Sequence, residues 1–216
     1  MEKTVGLISR RSDLTRAQFR DYYETRHAPL GTQHFAFRKY LRNHVVGPAS
    51  DAFDVFSEFW HDSIAKAYEV NTGPIGAIFR EDEQRFMGKQ RAAKSEERLV
   101  AGPARIVDPT PTRKQILLLV RREGTDRAGF LDAAARWGGD LAASSKGGIT
   151  RVVLDAITPF ENTPFPCDAI LSLWLANGAE ETKLGAPPTG ITLGAVATVE
   201  SCETPPEVLA ANYKGE

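Results

Sequence analysis

The chain has 216 residues, 42% of them apolar, with 27 basic against 28 acidic side chains and a net charge of −1, a composition that allows one large globular domain or two small ones. The near-neutral charge, without a Lys/Arg stripe, argues against nucleic acid as a partner. No apolar run approaches the roughly 18 residues of a membrane span, and the opening MEKTVGLISRRSDLT lacks the apolar core of a secretory signal.

Thr4 to Arg10 is short and β-prone and reads as a strand. Thr15 with Gln18 three residues on matches a capping box. Phe19, Tyr23, His27 and Leu30 then recur at spacings of four, four and three, one face of a helix with Tyr22 beside it. Pro29 is expected to end or kink that helix, because it removes a donor and crowds the residue before it. Phe37 to Val46 and Phe53 to Trp60 read as strands separated by the turn signal Gly47, Pro48 and Ser50. Ser63 to Val70 reads as a short helix with Asp62 as its cap. A loop with Gly73, Pro74 and Gly76 leads into the charged segment REDEQRF, and Leu99 to Val107 reads as a strand. Pro109 to Thr112 has the look of a linker. Beyond it Gln115 to Arg121 reads as a strand and Asp126 to Ser144 as an alanine-rich helix. Ile149 to Ile157 and Asp168 to Leu175 read as strands, 178–185 as a weak helix, and Ile191 to Val199 as the last strand. The segment from Thr204 is expected to wrap the surface or to be disordered. Cys167 and Cys202, far apart and without CxxC spacing, read as reduced thiols of a cytoplasmic protein.

The order strand, helix, strand, strand, helix, strand therefore occurs twice. Phe19 to Leu30 aligns without gaps on Phe130 to Leu141, and Phe53 to Trp60 on Cys167 to Trp174 with Asp and Trp matched in both. The expected boundaries are a first repeat over 1–108, a linker over 109–113, a degenerate second repeat over 114–203 and a tail over 204–216. The reading is α+β: two tandem ferredoxin-like βαββαβ repeats, each a four-stranded sheet with both helices on one face. Ile116 to Val120 is apolar at every position, so the second sheet face also needs cover. Packing the two open faces together supplies it and closes a barrel-like core within one chain. A monomer is then complete, and a homodimer through outer surfaces remains open.

The segment RRSDLTRAQFRDYYETRHAPL, with Phe19, Tyr22, Tyr23, His27 and Pro29, resembles the opening of the EthD-like family of the dimeric α/β-barrel superfamily. FRKYLRNHV, FDVFSEFW and DEQRFM resemble its later strands and the acidic–aromatic segment before its last strand. The resemblance covers residues 1 to about 105; the second half carries Gly138 in place of His27 and lacks the DExxF segment. It implies an intrachain barrel of the dimeric α/β type. For function it implies a range that includes polyketide cyclases, dehydratases or decarboxylases of aromatic pathways, lactone isomerases and monooxygenases that need no cofactor. Some members of the superfamily bind haem, for which His27 or His44 could in principle serve as axial ligand.

All four histidines, His27, His34, His44 and His61, lie in the first repeat. His27 sits on the apolar helix face beside Tyr23; a helix C-terminus favours its charged form and burial its neutral form. It is either a general acid or base, or a structural cap of the helix carbonyls. Tyr40, Arg42 and His44 alternate on one strand face with Arg38 and could line the same pocket. Asp54, Phe56, Glu58 and Trp60 share a face of the next strand, where Asp54 or Glu58 could orient His27, or Asp54 could be structural, as its repetition at Asp168 suggests. His34 and His61 fall at element ends and are expected to be exposed. No HExxH, CxxC, GxGxxG or P-loop pattern occurs, so neither a metal nor any other cofactor is expected. The expected function is a cofactor-free lyase or dehydratase, isomerase or cyclase acting on an aromatic or polyketide-like molecule. His27, Tyr23 and His44 are its candidate catalytic residues, and Tyr40, Asp54, Phe56 and Trp60 its candidate substrate-binding residues. The alternatives are a non-catalytic binder of a small hydrophobic ligand and a structural component of a degradation pathway.

Overall fold

A computed structural model describes residues 1–47, 52–104 and 112–215. Its elements run β1 (Glu2–Arg10), α1 (Arg16–Tyr22), a π turn (Tyr23–His27), α2 (Ala28–His34), β2 (Phe37–Val46), β3 (Val55–His61), α3 (Ile64–Thr72), α4 (Pro74–Glu83) and β4 (Met87–Ala101), followed by β5 (Thr112–Arg121), α5 (Arg127–Ser144), β6 (Ile149–Pro159), β7 (Ala169–Leu175), β8 (Ile191–Glu203) and α6 (Pro206–Asn212). The strands are hydrogen-bonded in the order β1-β3-β2-β8-β5-β7-β6-β4, an antiparallel closed barrel in an α+β fold.

The chain forms two compact units, Met1–His44 with Asp51–Ala92 and Glu203–Glu216, and Val45–Ser50 with Ala93–Cys202. In the first unit, β3 lies between β1 and β2, with Tyr40 opposite Phe59, Arg42 opposite Ser57 and His44 opposite Val55. That register puts Ile8, Tyr40 and Val55 on the face covered by Phe19 of α1 and Tyr23 of the π turn, and Ala28, Phe86 and Leu209 complete the cluster. The other face carries Lys3, Leu41, Asn43, Phe56, Glu58 and Trp60, all buried. In the second unit, β7 lies between β5 and β6. Leu117, Leu119, Val152, Leu154, Leu171 and Leu173 pack against Phe130, Ala134, Trp137 and Leu141 of α5. The run that is apolar at every position, Ile116 to Leu119, is buried on both faces, as expected of a strand covered from two sides.

Several elements differ from the sequence reading. Pro29 does not end its helix: it lies in the first turn of α2, where a missing N–H costs nothing, and the turn before it widens so that the Ala28 N–H reaches Tyr23 O. The loop around Gly73 and Pro74 is instead the start of α4, with Gly73 as cap and Pro74 in its first turn. Ser63, not Asp62, caps α3; Asp62 pairs with Arg38. The strand expected from Leu99 is β4 and begins twelve residues earlier, at Met87. Its polar run hides it from a hydrophobicity pattern. Residues 178–185 contain no helix. The segment from Thr204 lies on the surface with a helix of its own: α6 buries Leu209, and beyond it the Lys214 N–H donates to Gln33 O. Residues 112 and 113 of the expected linker belong to β5; its 109–111, and positions 48 and 50 of the expected turn, lie outside the described residues.

Candidate functional site

The sequence fixes the start of the site helix through a completed capping box. Thr15 Oγ1 accepts from the Gln18 N–H at 3.2 Å, and the Thr15 N–H donates to Gln18 Oε1 at 2.9 Å. Phe19 then locks the helix onto the sheet. One turn on, the π turn carries Tyr23, Glu24 and His27. Such widened turns re-aim side chains by inserting a residue into the helical ladder, and they recur at functional sites.

His27 is 9% exposed. Its Nδ1 lies 2.8 Å from Asp82 Oδ2, and the Tyr22 hydroxyl donates to Asp82 Oδ1 at 2.8 Å. Burial pushes the Asp82 carboxyl up, but the hydrogen bonds from His27 and Tyr22 outweigh it and hold it below the ordinary range. Asp82 is therefore a carboxylate, and His27 Nδ1 carries the hydrogen it shares. Among the described residues this is the hydrogen bond of the His27 ring, which leaves Nε2 as the nitrogen able to take up a proton. Tyr23, Phe86 and Phe79 surround the ring at centroid distances of 5.0, 4.9 and 6.0 Å. Glu83, next to Asp82 and half-buried, has its carboxyl pushed up by burial, with the charge of His27 opposing.

Beneath the π turn two further polar chains run along the sheet. The Tyr40 hydroxyl donates to the Tyr23 hydroxyl at 3.2 Å, which leaves Tyr23 to donate to Ser57 Oγ at 2.9 Å. Both phenols are completely enclosed, and burial raises both above the usual phenol range. Arg42 forks onto Glu24 at 2.9 and 2.8 Å, and His44 Nε2 lies 2.6 Å from Glu24 Oε1. Burial would raise the Glu24 carboxyl, but His44 and Arg42 hold it at about 2. Burial lowers His44, against the pull of Glu24. A neutral His44 thus donates from Nε2, and its Nδ1 is a buried acceptor with no partner among the described residues.

The structure brings together His27, Tyr23, Tyr40 and His44, since the Tyr23 ring lies 5.0 Å from His27 and 5.7 Å from His44. It does not bring Asp54, Phe56 or Trp60 to them. Phe56 and Trp60 project from the opposite face of β3, where Lys3 and Lys39 stand 4.5 and 4.9 Å from the Trp60 ring. Asp54 precedes β3 and is held by Arg10 and by Arg16 Nε at 3.2 Å, while accepting from the Arg10 N–H at 2.9 Å. Glu58 is paired with Lys3 at 2.7 Å and Asn43 at 2.9 Å. Neither carboxylate orients His27; Asp82 does. Strand alternation had put them on one wall because it cannot say which wall faces the helix. His61, expected at the surface, is buried against Phe37 and Phe59 and bonded to Thr4 Oγ1 at 3.0 Å; burial lowers it to about 4. Sequence reasoning missed Asp82 and Glu24 as the histidines' partners. The acidic–aromatic segment around Asp82 was the only available signal, and it came from the resemblance. No group of three or more His, Cys, Asp or Glu side chains among the described residues is placed to hold a metal.

The helix with its capping box, the π-turn histidine and the acidic–aromatic segment that meets it lie within one stretch of chain. Residues 11–90 match the EthD domain. No curated protein matches the sequence. Among solved structures, an anthrone oxidase-like protein is 11% identical, with 94% of this chain and 92% of that one covered and a TM-score of 0.63. A protein named as a candidate monooxygenase from Fusobacterium nucleatum subsp. nucleatum is 9% identical, with 93% and 90% covered and a TM-score of 0.54. A mutant chlorite dismutase from Candidatus Nitrospira defluvii is 8% identical, with 99% and 95% covered and a TM-score of 0.51. At these identities the likeness is one of fold alone. The EthD match ends before β4 does and leaves residues 93–202 outside it. No helix among the described residues is long and apolar enough to cross a membrane.

Proposed function

We propose that the chain is a cofactor-independent acid–base enzyme, a lyase or dehydratase, isomerase or cyclase, acting on an aromatic or polyketide-like small molecule in the cytoplasm. The observation that carries this reading is the His27–Asp82 pair at 2.8 Å. A carboxylate on Nδ1 sets the tautomer, orients the ring and stabilises the imidazolium that forms when Nε2 takes a proton. Nε2 would accept a proton from an acidic C–H or O–H of the substrate and return it at a neighbouring atom, which is the shared step of these three reaction classes. Tyr23 and Tyr40, held protonated by burial, would polarise the substrate's oxygens by turning their hydroxyl hydrogens from Ser57 Oγ and from the Tyr23 oxygen, with His44 fixing that wall through Glu24. Phe79 and Phe86 supply the aromatic surface that Phe56 and Trp60 were expected to supply.

The test is a screen of aromatic and polyketide-like ketones with the wild-type chain, followed by His27→Ala and Asp82→Asn. His27→Ala should lose on the order of 10²–10⁴ in rate with the fold intact. Asp82→Asn should lower the rate and displace the acid limb of the pH profile of kcat/KM. An unchanged rate in His27→Ala overturns the assignment. A second reading, a non-catalytic binder of a hydrophobic ligand, is favoured by the complete burial of Tyr23 and Tyr40; it requires binding without turnover that survives His27→Ala.

We also read the chain as two tandem ferredoxin-like repeats, over 1–108 and 114–203, the second degenerate. Paired details support this. Lys3 stands over Trp60 at 4.5 Å and Lys114 over Trp174 at 4.2 Å. Asp54 accepts from the N–H of Arg10, and Asp168 from that of Arg121.

A further inference from the structure

The residues that line the proposed site on the sheet side are sealed. Tyr23, Tyr40 and His44 are at most 2% exposed, so a substrate reaches them only if a covering element moves. The covers of the first unit are unequal. α1 is fixed by its capping box and by Phe19 in the aromatic cluster. The segment after β8 is held by far less. Its helix α6 has seven residues and buries one side chain, Leu209, in the cluster that contains Tyr23 and Tyr40. Its polar attachments are few and placed at its ends. The Thr204 N–H donates to Tyr40 O at 3.1 Å, and the Arg42 guanidinium donates to Thr204 Oγ1 at 2.6 Å. Asn212 Nδ2 donates to Thr32 Oγ1 at 3.1 Å, and Lys214 donates from its N–H to Gln33 O at 3.0 Å and, at the exposed surface, from Nζ to Gln33 Oε1 at 3.3 Å. Val208 and Tyr213 on the same stretch are 38% and 42% exposed. The segment is thus a short amphipathic piece laid across α2 and the start of β2. At one end it grips Arg42, which in turn holds Glu24 and through it His44.

We propose that Thr204–Lys214 is a strap over the Tyr23–Tyr40–Arg42 wall, and that its local release, without unfolding of the unit, is what opens that wall to a small molecule. An element with one buried apolar contact and few hydrogen bonds belongs at the low end of local stability, and lids that gate sites are drawn from such elements. The proposal rests on the functional reading for what enters, but the motion is measurable without a substrate.

The test is native-state hydrogen exchange of the full chain, in wild type and Leu209→Ala, followed by nitration with tetranitromethane and peptide mapping. Expected in wild type is that the amides of Thr204, Leu209, Tyr213 and Lys214 exchange together, faster than those of β3. In Leu209→Ala they should speed up roughly tenfold or more while β3 amides keep their rates. Nitration of Tyr40 should rise in the same variant. If the strap amides exchange only together with β3, or Leu209→Ala accelerates both alike, the segment is integral to the fold and the proposal fails. If the strap opens but Tyr40 nitration does not rise, it covers nothing of consequence and the proposal also fails. Loss of the catalytic reading through an unaffected His27→Ala would leave all of these rates untouched.

Discussion

At the residue scale, acid is where the buried polar groups of the first unit become visible. Glu24 titrates at about 2 in the folded chain against an ordinary 4.5, because His44 and Arg42 outweigh its burial. Its depressed value means the unfolded chain takes the proton first, so its contribution is complete above about pH 4.5 and is withdrawn as pH falls toward 2. The shift corresponds to on the order of 3 kcal/mol. His61 works in the same direction for another reason. Burial lowers it to about 4 from 6.5, so the unfolded chain is protonated at higher pH than the folded one, and stability is withdrawn between about 6.5 and 4. Urea midpoints measured from pH 7 to pH 2 should therefore fall in two stages, and His61→Phe should shrink the upper one, leaving the share that the buried His44 contributes in the same direction. Midpoints flat from pH 7 to 4.5 in the wild type would contradict this. The helical spacing of Tyr23 and His27 made them legible as one face, but their partners were not. Asp82 is 55 residues from His27, and only tertiary structure decides which of 28 acidic residues a histidine meets.

At the element scale, the informative contrast is between the two long helices. In the first, the π turn makes room for His27. In the second, α5 lies so close to the sheet that a Cβ on Gly138 would stand 2.9 Å from Val152 Cγ1 and 3.0 Å from Leu171 Cδ1. The position aligned with His27 is thus closed by packing, which gives the missing histidine a physical meaning: there is no space for any side chain. Gly138→Ala should gain up to about 1 kcal/mol in helix propensity and lose about 1–3 kcal/mol to overpacking. Val152 is β-branched and held in a strand, so the loss should win and lower the urea midpoint. A raised midpoint would mean that α5 can move outward freely. The site helix and α5 were legible from their apolar periodicity, as was every strand with an apolar core, but α4 was not: Gly73, Pro74 and Gly76 read as a loop although Ile75, Ile78 and Phe79 keep helical spacing. The other elements that escaped were polar or short. β4 carries charges over most of its length, and α6 buries Leu209 as its one apolar anchor. Residues 178–185 lack a helix although their composition tolerates one. Pro29 misleads because the usual rule assumes an α-helical ladder, and the chain uses a wider one.

At the scale of the whole molecule, the α+β class and a closed barrel were legible from periodicity, punctuation and the need to cover both sheet faces, whereas the element order expected to occur twice lacks its second helix in the later half. The distribution of site residues between the two faces of the first sheet was not legible. Alternation along β2 and β3 correctly grouped Tyr40 with His44 and Phe56 with Trp60, but register relative to the helix is a tertiary fact. One outcome of that register concerns light rather than chemistry. Trp60 lies between the ammonium groups of Lys3 and Lys39, and Trp174 between Lys114 and the Arg151 guanidinium at 4.2 and 4.8 Å. Each unit therefore carries an indole whose excited state is biased by two fixed cations, and unfolding that unit removes the bias. With Trp137 and Trp174 replaced by Phe, emission from Trp60 should follow the first unit alone during urea unfolding; with Trp60 and Trp137 replaced, Trp174 should follow the second. Coincident curves would mean that the two units melt as one cooperative body, and separated curves that each holds its own stability. The chain is in effect wired with two internal lamps, one for each half.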